Sequence, residues 1–180
     1  LYGNDVIGIA GKNSQKVTNL ATITVEGQNA TGIYGTLNTV IDNQGTINVS
    51  GSDSVGIIAP NGKIINNGTI NFTNGAKMTA TDNEYAIPEL INAGIIRVNG
   101  NFENTGMKIS LKPDLSTLQE STIAGIDFIM DSGSISADTL TITDTVKILP
   151  DFSQGTNAKV YKLENAFISS NIISASGKLP

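Results

Sequence analysis

Histidine and cysteine are both missing from this 180-residue chain, and aromatic residues make up only 5% of it. Without imidazole or thiol the chain alone builds no Ser-His or Cys-His nucleophile, no zinc site of His and Cys ligands and no disulfide. Positive charge is also short: 11 Lys+Arg against 16 Asp+Glu leave a net charge of −5, and the cations stand singly in the sequence. No basic run marks a nucleic-acid surface, so no nucleic-acid partner is expected. No apolar run approaches the ~20 residues of a membrane-spanning helix. No N-terminal Met or signal peptide is present, and Leu1 reads as the cut edge of something longer. Good helix formers are sparse. Ile, Val, Thr, Asn, Ser and Gly dominate instead, which favours strands joined by tight turns.

The dominant signal is an internal repeat. Asn19-Leu-Ala-Thr-Ile-Thr-Val25 returns as Asn43-Gln-Gly-Thr-Ile-Asn-Val49, as Asn66-Asn-Gly-Thr-Ile-Asn-Phe72 and as Asn92-Ala-Gly-Ile-Ile-Arg-Val98, at nearly constant spacing. A second motif keeps the same period, at Gly8-Ile9, Gly32-Ile33 and Gly56-Ile57. A third apolar pair precedes each Asn motif at Val40-Ile41, Ile64-Ile65 and Leu90-Ile91, with Val17 alone in the earliest copy. Each unit, of about 24 residues, therefore holds three short apolar segments divided by Gly/Asn turns.

Within the Asn motif the side chains alternate. Ile23, Ile47, Ile70 and Ile96 share one face with Val25, Val49, Phe72 and Val98, while Thr24, Asn48, Asn71 and Arg97 take the other. One such unit cannot bury its apolar face alone, and stacking unit on unit buries it continuously. The predicted fold is all-β: a right-handed, single-stranded parallel β-helix over residues 1–106, with irregular rungs and a capping β region over 107–180. The repeat Asn is expected at a turn, in the left-handed region, bonded to its neighbours in the stack. The Gly two residues later gives the corner room. A leucine-rich repeat, at 20–29 residues per unit, needs leucines and a helical segment that this sequence lacks. A sandwich or barrel is the remaining architecture with strands at such spacing.

The fourth unit breaks the pattern. No Gly-Ile motif follows Phe72, and Thr73–Glu89 is longer, polar and carries Pro88. It reads as a loop bulging from the column, where binding features sit on solenoids. Beyond Gly106 the rhythm fades. Met107–Lys112 reads as a strand and Pro113–Glu120 as a helical turn or loop. Strands are expected at Gly125–Met130, Thr139–Thr143, Val146–Leu149 and Lys159–Leu163, with a turn at Gly155-Thr156-Asn157, ending in antiparallel strands that close the column.

A His-free β-helix enzyme would rest on clustered carboxylates with Arg or Lys on one outer face. The candidates are Asp42, Asp53, Asp82, Glu84, Glu89, Asp127, Asp131 and Asp138. Asp42 and Asp53 fall on different parts of one rung with no acid stacked above them, and Arg97 is the sole arginine. They read as solvated surface carboxylates, and no catalytic residue is expected. Asp82-Asn83-Glu84 matches no calcium-loop pattern, and the glycine-rich stretches match no phosphate or dinucleotide loop, so no cofactor or metal is assigned. The contact candidates are Tyr85, Asp82, Glu84 and Glu89. The repeat itself rests on Asn19, Asn43, Asn66 and Asn92, on Ile23, Ile47, Ile70 and Ile96, and on Gly8, Gly32 and Gly56.

Tandem N-x-G-x-I-x-V segments alternating with G-I motifs, in an acidic chain free of cysteine, resemble autotransporter passengers, and more narrowly the large type V-secreted adhesins of fusobacteria. The resemblance implies export through an outer-membrane β-barrel translocator outside this chain and display on the bacterial cell surface. It also implies adhesion to a host-cell or bacterial receptor, protein or glycan. The chain is expected to be a monomer and not an enzyme, with the region after Met107 serving as an autochaperone-like cap that folds first. A β-helix polysaccharide lyase or hydrolase, or a tailspike-like carbohydrate binder, is the alternative. Absent cysteines suit export, because disulfides would obstruct a chain crossing a narrow pore unfolded.

Overall fold

Three β-rich segments per unit, each too short to stand alone, fold by pairing with the same segment of the next unit. The computed structural model describes residues 1–12, 15–78, 88–103, 107–126, 128–142, 146–148, 161–169 and 171–174. It is all-β, with no helix among the described residues. The first rung holds β1 (Ile7–Gly11), β2 (Lys16–Asn19) and β3 (Thr22–Glu26). The second holds β4 (Thr31–Gly35), β5 (Val40–Asn43) and β6 (Thr46–Ser50), and the third β7 (Val55–Ile58), β8 (Lys63–Asn66) and β9 (Thr69–Thr73). Corresponding strands pair parallel, so the rungs build three sheets: β1-β4-β7, a second begun by β2-β5-β8 and a third begun by β3-β6-β9. The arrangement is β-helix-like.

The second and third sheets continue upward. β10 (Glu89–Asn92), β12 (Ile109–Leu111) and β16 (Val146–Ile148) extend the second, and β11 (Ile95–Glu103), β15 (Ser134–Ile142) and β18 (Phe167–Ile168) extend the third. β19 (Asn171–Ser174) lies beside β18 on β15. Among the described residues the last strand of the first sheet is β7, where the Gly56 and Ile57 amides donate to the Lys77 and Met78 carbonyls in place of a fourth Gly-Ile strand.

Alternation sets the core. Ile47, Ile70, Ile96 and Ile135 stack in one column, each fully buried, with half-buried Ile23 below and Phe167 above. Burial of each such side chain contributes about 1.5–3 kcal/mol. Val25, Val49, Phe72 and Val98 form a second buried column. Corners are tight: a Cβ on Gly68 would overlap the Gly45 carbonyl oxygen one rung below.

Several expectations need correction. The repeat asparagines end strands and lack positive φ. The left-handed corner belongs to Asp5, Asn29 and Asp53, with φ of 57°, 55° and 57°, and to Asn38, Asn61 and Asn74 elsewhere. Short polar side chains tolerate this region by bonding locally. Pro113–Glu120 is not a helical turn but strand β13, paired antiparallel with β14 (Phe128–Ser132). Its leucine spacing suggests a helix, and cross-strand pairing overrides it. The expected strand at Gly125–Met130 begins later, because Gly125 occupies a turn at φ 84°. Among the described residues antiparallel pairing is confined to β13–β14. β17 (Tyr161–Glu164) pairs parallel with β14, and β18 and β19 pair parallel with β15. Gly155-Thr156-Asn157 lies outside the described residues.

The fourth sheet, β13-β14-β17, has a clear origin. In lower rungs a short corner separates the second-sheet strand from the third-sheet strand. After β12 the chain instead makes the β13–β14 hairpin before Gly133 leads into β15, and the Ser134 amide then donates to the Gly94 carbonyl at 2.9 Å. The hairpin replaces the Asn corner.

Candidate functional site

Asn19, Asn43, Asn66 and Asn92 occupy one register position and are all buried. Each Nδ2 donates upward to the next Oδ1 at 2.8 Å, from Asn19 to Asn43, Asn43 to Asn66 and Asn66 to Asn92. The position above Asn92 is Leu111, and the Asn92 Nδ2 donates to the Ser134 backbone oxygen at 3.1 Å instead. The column is an amide ladder inside the wall, capped by backbone where the hairpin enters. A second ladder runs along the outer face of the third sheet. Asn71 donates to Asn48 at 2.8 Å, and Asn48 to the Thr24 hydroxyl at 3.2 Å. A Cβ on Gly8 or Gly32 would strike the carbonyl oxygen of the next glycine in the same sheet, and on Gly8, Gly32 or Gly56 it would strike side chains of the third sheet. These residues hold the column together.

Asp42 is the exception among the expected surface acids. It is 5% exposed on the outer side of the second sheet, where Thr18, Ile65 and Ile91 share its register position. Lys16 Nζ lies 2.9 Å from its Oδ2, Gln44 Nε2 donates to Oδ2 at 2.9 Å, and Asn67 Nδ2 to Oδ1 at 3.4 Å. Burial pushes the carboxyl pKa up, but the hydrogen bonds from Lys16, Gln44 and Asn67 and the Lys16 charge outweigh it. The carboxyl is held below its ordinary 3.8. Three rungs meet on this one carboxylate. A charged residue breaking an otherwise apolar or Thr column was the available sequence signal.

Glu89 opens β10 and pairs with Lys63 at 3.4 Å, both about two-fifths exposed. Tyr85, Asp82 and Glu84 lie outside the described residues, as does Asp127. Asp53 is a corner residue, and the Asp131 Oδ1 accepts from Asn165 Nδ2 at 2.7 Å. Among the described residues no three carboxylates come close enough together to hold a metal ion.

The walls differ in chemistry. The β1, β4 and β7 strands carry no charged residue, whereas the second sheet gathers lysines. Val17, Ile41, Ile64, Leu90 and Ile109 point inward there, so alternation turns Lys16, Lys63, Lys108 and Lys147 outward. These cations stand singly in the sequence, and the strand pairing gathers them on one wall.

Comparison with known proteins gives one family. Residues 123–179, just under a third of the chain, match the BigA beta sandwich domain. No curated protein and no solved structure matches the chain. Within the matched segment the described strands pair onward from the column, β15 on β11 and β16 on β12, while β14 and β17 lie in the fourth sheet. No helix among the described residues is long and apolar enough to cross a membrane.

Proposed function

We propose that this chain is a segment of a bacterial surface-displayed, adhesin-like protein. The observation that carries the reading is the match of residues 123–179 to the BigA beta sandwich domain, a domain of surface-exposed adhesin-like bacterial proteins. The finer reading is an autotransporter passenger exported through its own outer-membrane β-barrel. Its fold is then a right-handed, single-stranded parallel β-helix, the hand that parallel crossovers adopt in almost all cases. Support comes from the stack itself: each rung completes its sheet bonds, and the lower rungs their Asn ladder, on a neighbouring rung, which suits folding one rung at a time during vectorial export. In this reading the chain is monomeric and non-enzymatic, and acts as stalk and binding surface toward a cell-surface receptor.

The test is binding of the purified, labelled chain to epithelial cells and to partner bacteria, with free sugars and salt as competitors. Saturable, competable binding is expected. Binding no greater than that of a control chain with scrambled rungs overturns the adhesive role.

A further inference from the structure

The outer face of the second sheet has an ordered charge pattern. One register position reads Lys16, Val40, Lys63, Glu89, and then Lys108, one residue before the Ile109 that pairs with Leu90. Lysine thus recurs on alternate rungs, about 10 Å apart at two strand spacings. Lys147 stands outward on the last rung beside Ser110, and Lys112 follows β12 at the corner. Lys108, Lys112 and Lys147 are exposed and make no ion pair among the described residues. Among the described residues Asp42 and Glu89 are the only acids on this face, and they are engaged by Lys16 and Lys63. Five lysines against two carboxylates leave three excess positive charges on one wall of a chain whose net charge is −5.

We infer that this wall binds a linear anionic polysaccharide lying along the stacking axis. β5, β8, β10 and β12 are hydrogen-bonded on both edges, so along these inner strands no peptide can add as a strand, and recognition falls to side chains. An extended acidic peptide presents same-face charges every second residue, about 7 Å apart, out of step with lysines on alternate rungs. A sugar chain whose acidic groups recur with each disaccharide repeats on the longer scale. Half-buried Val40, Ile65 and Ile91 between the lysines give the ring faces an apolar bed. The inference deepens the surface-protein reading by naming a partner class. It draws its setting from that reading and its chemistry from the wall alone.

The test uses the purified full chain and immobilised chondroitin sulfate, hyaluronan, neutral dextran and polyglutamate, titrated from low to physiological salt. Binding to the two acidic polysaccharides is expected, weakening as salt rises, with none to dextran and at least tenfold weaker binding to polyglutamate. Lys108→Ser/Lys112→Ser/Lys147→Ser should lose at least tenfold in affinity. The Arg triple variant should retain binding, and Lys12→Ser/Lys77→Ser, off this wall, should match the parent. Circular dichroism of each variant confirms the fold. No binding to either acidic polysaccharide at low salt overturns the inference, as does equal loss in the off-wall variant or equal binding to polyglutamate. Cell binding that persists through the Ser triple variant would leave the adhesin reading standing and remove the wall as its means.

Discussion

From Ile23 to Ile47 to Ile70 the core column advances by nearly equal lengths of chain, whereas the chain between Ile96 and Ile135, and again between Ile135 and Phe167, is much longer. The lower rungs keep their register through side chains. Buried amides, outer amides and the Asp42 cluster each bond rung to rung at fixed positions. Among the described residues the buried amide ladder ends at Asn92, and the upper rungs keep register through strand length, with single contacts such as the Thr141 hydroxyl donating to the Asn101 Oδ1 at 3.2 Å. β11 and β15 each run nine residues and stay paired across a bulge between Val98 and Asn101, and a fourth sheet adds a second line of pairing. A repeat that stacks like on like tolerates little variation in rung length. A region with long strands accepts insertions such as the hairpin.

The comparison breaks most completely if the upper region is removed. Without residues 107–180, β10 and β11 become open edges, and the buried column at Leu90, Ile96 and Phe102 loses its cover. A fragment of residues 1–106 should show weak, non-cooperative unfolding by circular dichroism, while the full chain melts cooperatively. A sharp melt of the fragment would mean that the ladders alone suffice and that the upper rungs are no template.

Substitution within the amide ladder tests the lower region directly. Asn66→Leu leaves the Asn43 donor and the Asn92 acceptor without their ladder partner inside the wall. At about 1–3 kcal/mol for each buried group left unpaired, a loss of about 4 kcal/mol is expected by urea denaturation. A loss below about 1 kcal/mol, less than one unpaired group should cost, would show that water or backbone replaces the ladder. Leu111→Asn tests the boundary. The repeat motif alone suggests that restoring Asn here extends the ladder and stabilises. The structure predicts the opposite sign, because the Asn92 donor already bonds Ser134 and the new amide would displace a buried leucine. A destabilisation of about 2–3 kcal/mol is expected, and a raised melting temperature would refute it.

Much of the lower region is legible in the sequence because stacking writes each column as a visible repeat. Ile23, Ile47, Ile70 and Ile96 declare the core, and the motif asparagines declare their bonding. Asp5, Asn29 and Asp53 recur with the same period, and their left-handed corners escape notice because no apolar pattern flags them. The hairpin is less legible. Leu115 and Leu118 are spaced as in a helix, and only pairing with β14 decides otherwise. The lysine wall is illegible one residue at a time. Lys16, Lys63 and Lys108 lie nearly two repeat lengths apart from one to the next, and only the register of the intervening rungs lines them up.

The smallest effect sharpens the contrast through pH. Among the described residues Asp42 bonds lower-rung partners alone, and its carboxyl is held below 3.8 in the folded chain because Lys16, Gln44 and Asn67 outweigh its burial. A depressed folded value means that the ionised carboxylate favours the fold. That contribution is complete above the ordinary carboxylate range and is lost as pH falls below 3.8 through the folded value. Asp42→Asn should therefore lower stability slightly at pH 7, by under about 1 kcal/mol, since Lys16 remains largely in water and gains little from the pair. By pH 3 the gap between parent and variant should have narrowed. A gap unchanged between pH 7 and pH 3 would mean that packing and neutral hydrogen bonds at this position, rather than charge, tie the three lower rungs together. The Asp42 cluster would then work as the amide ladder does.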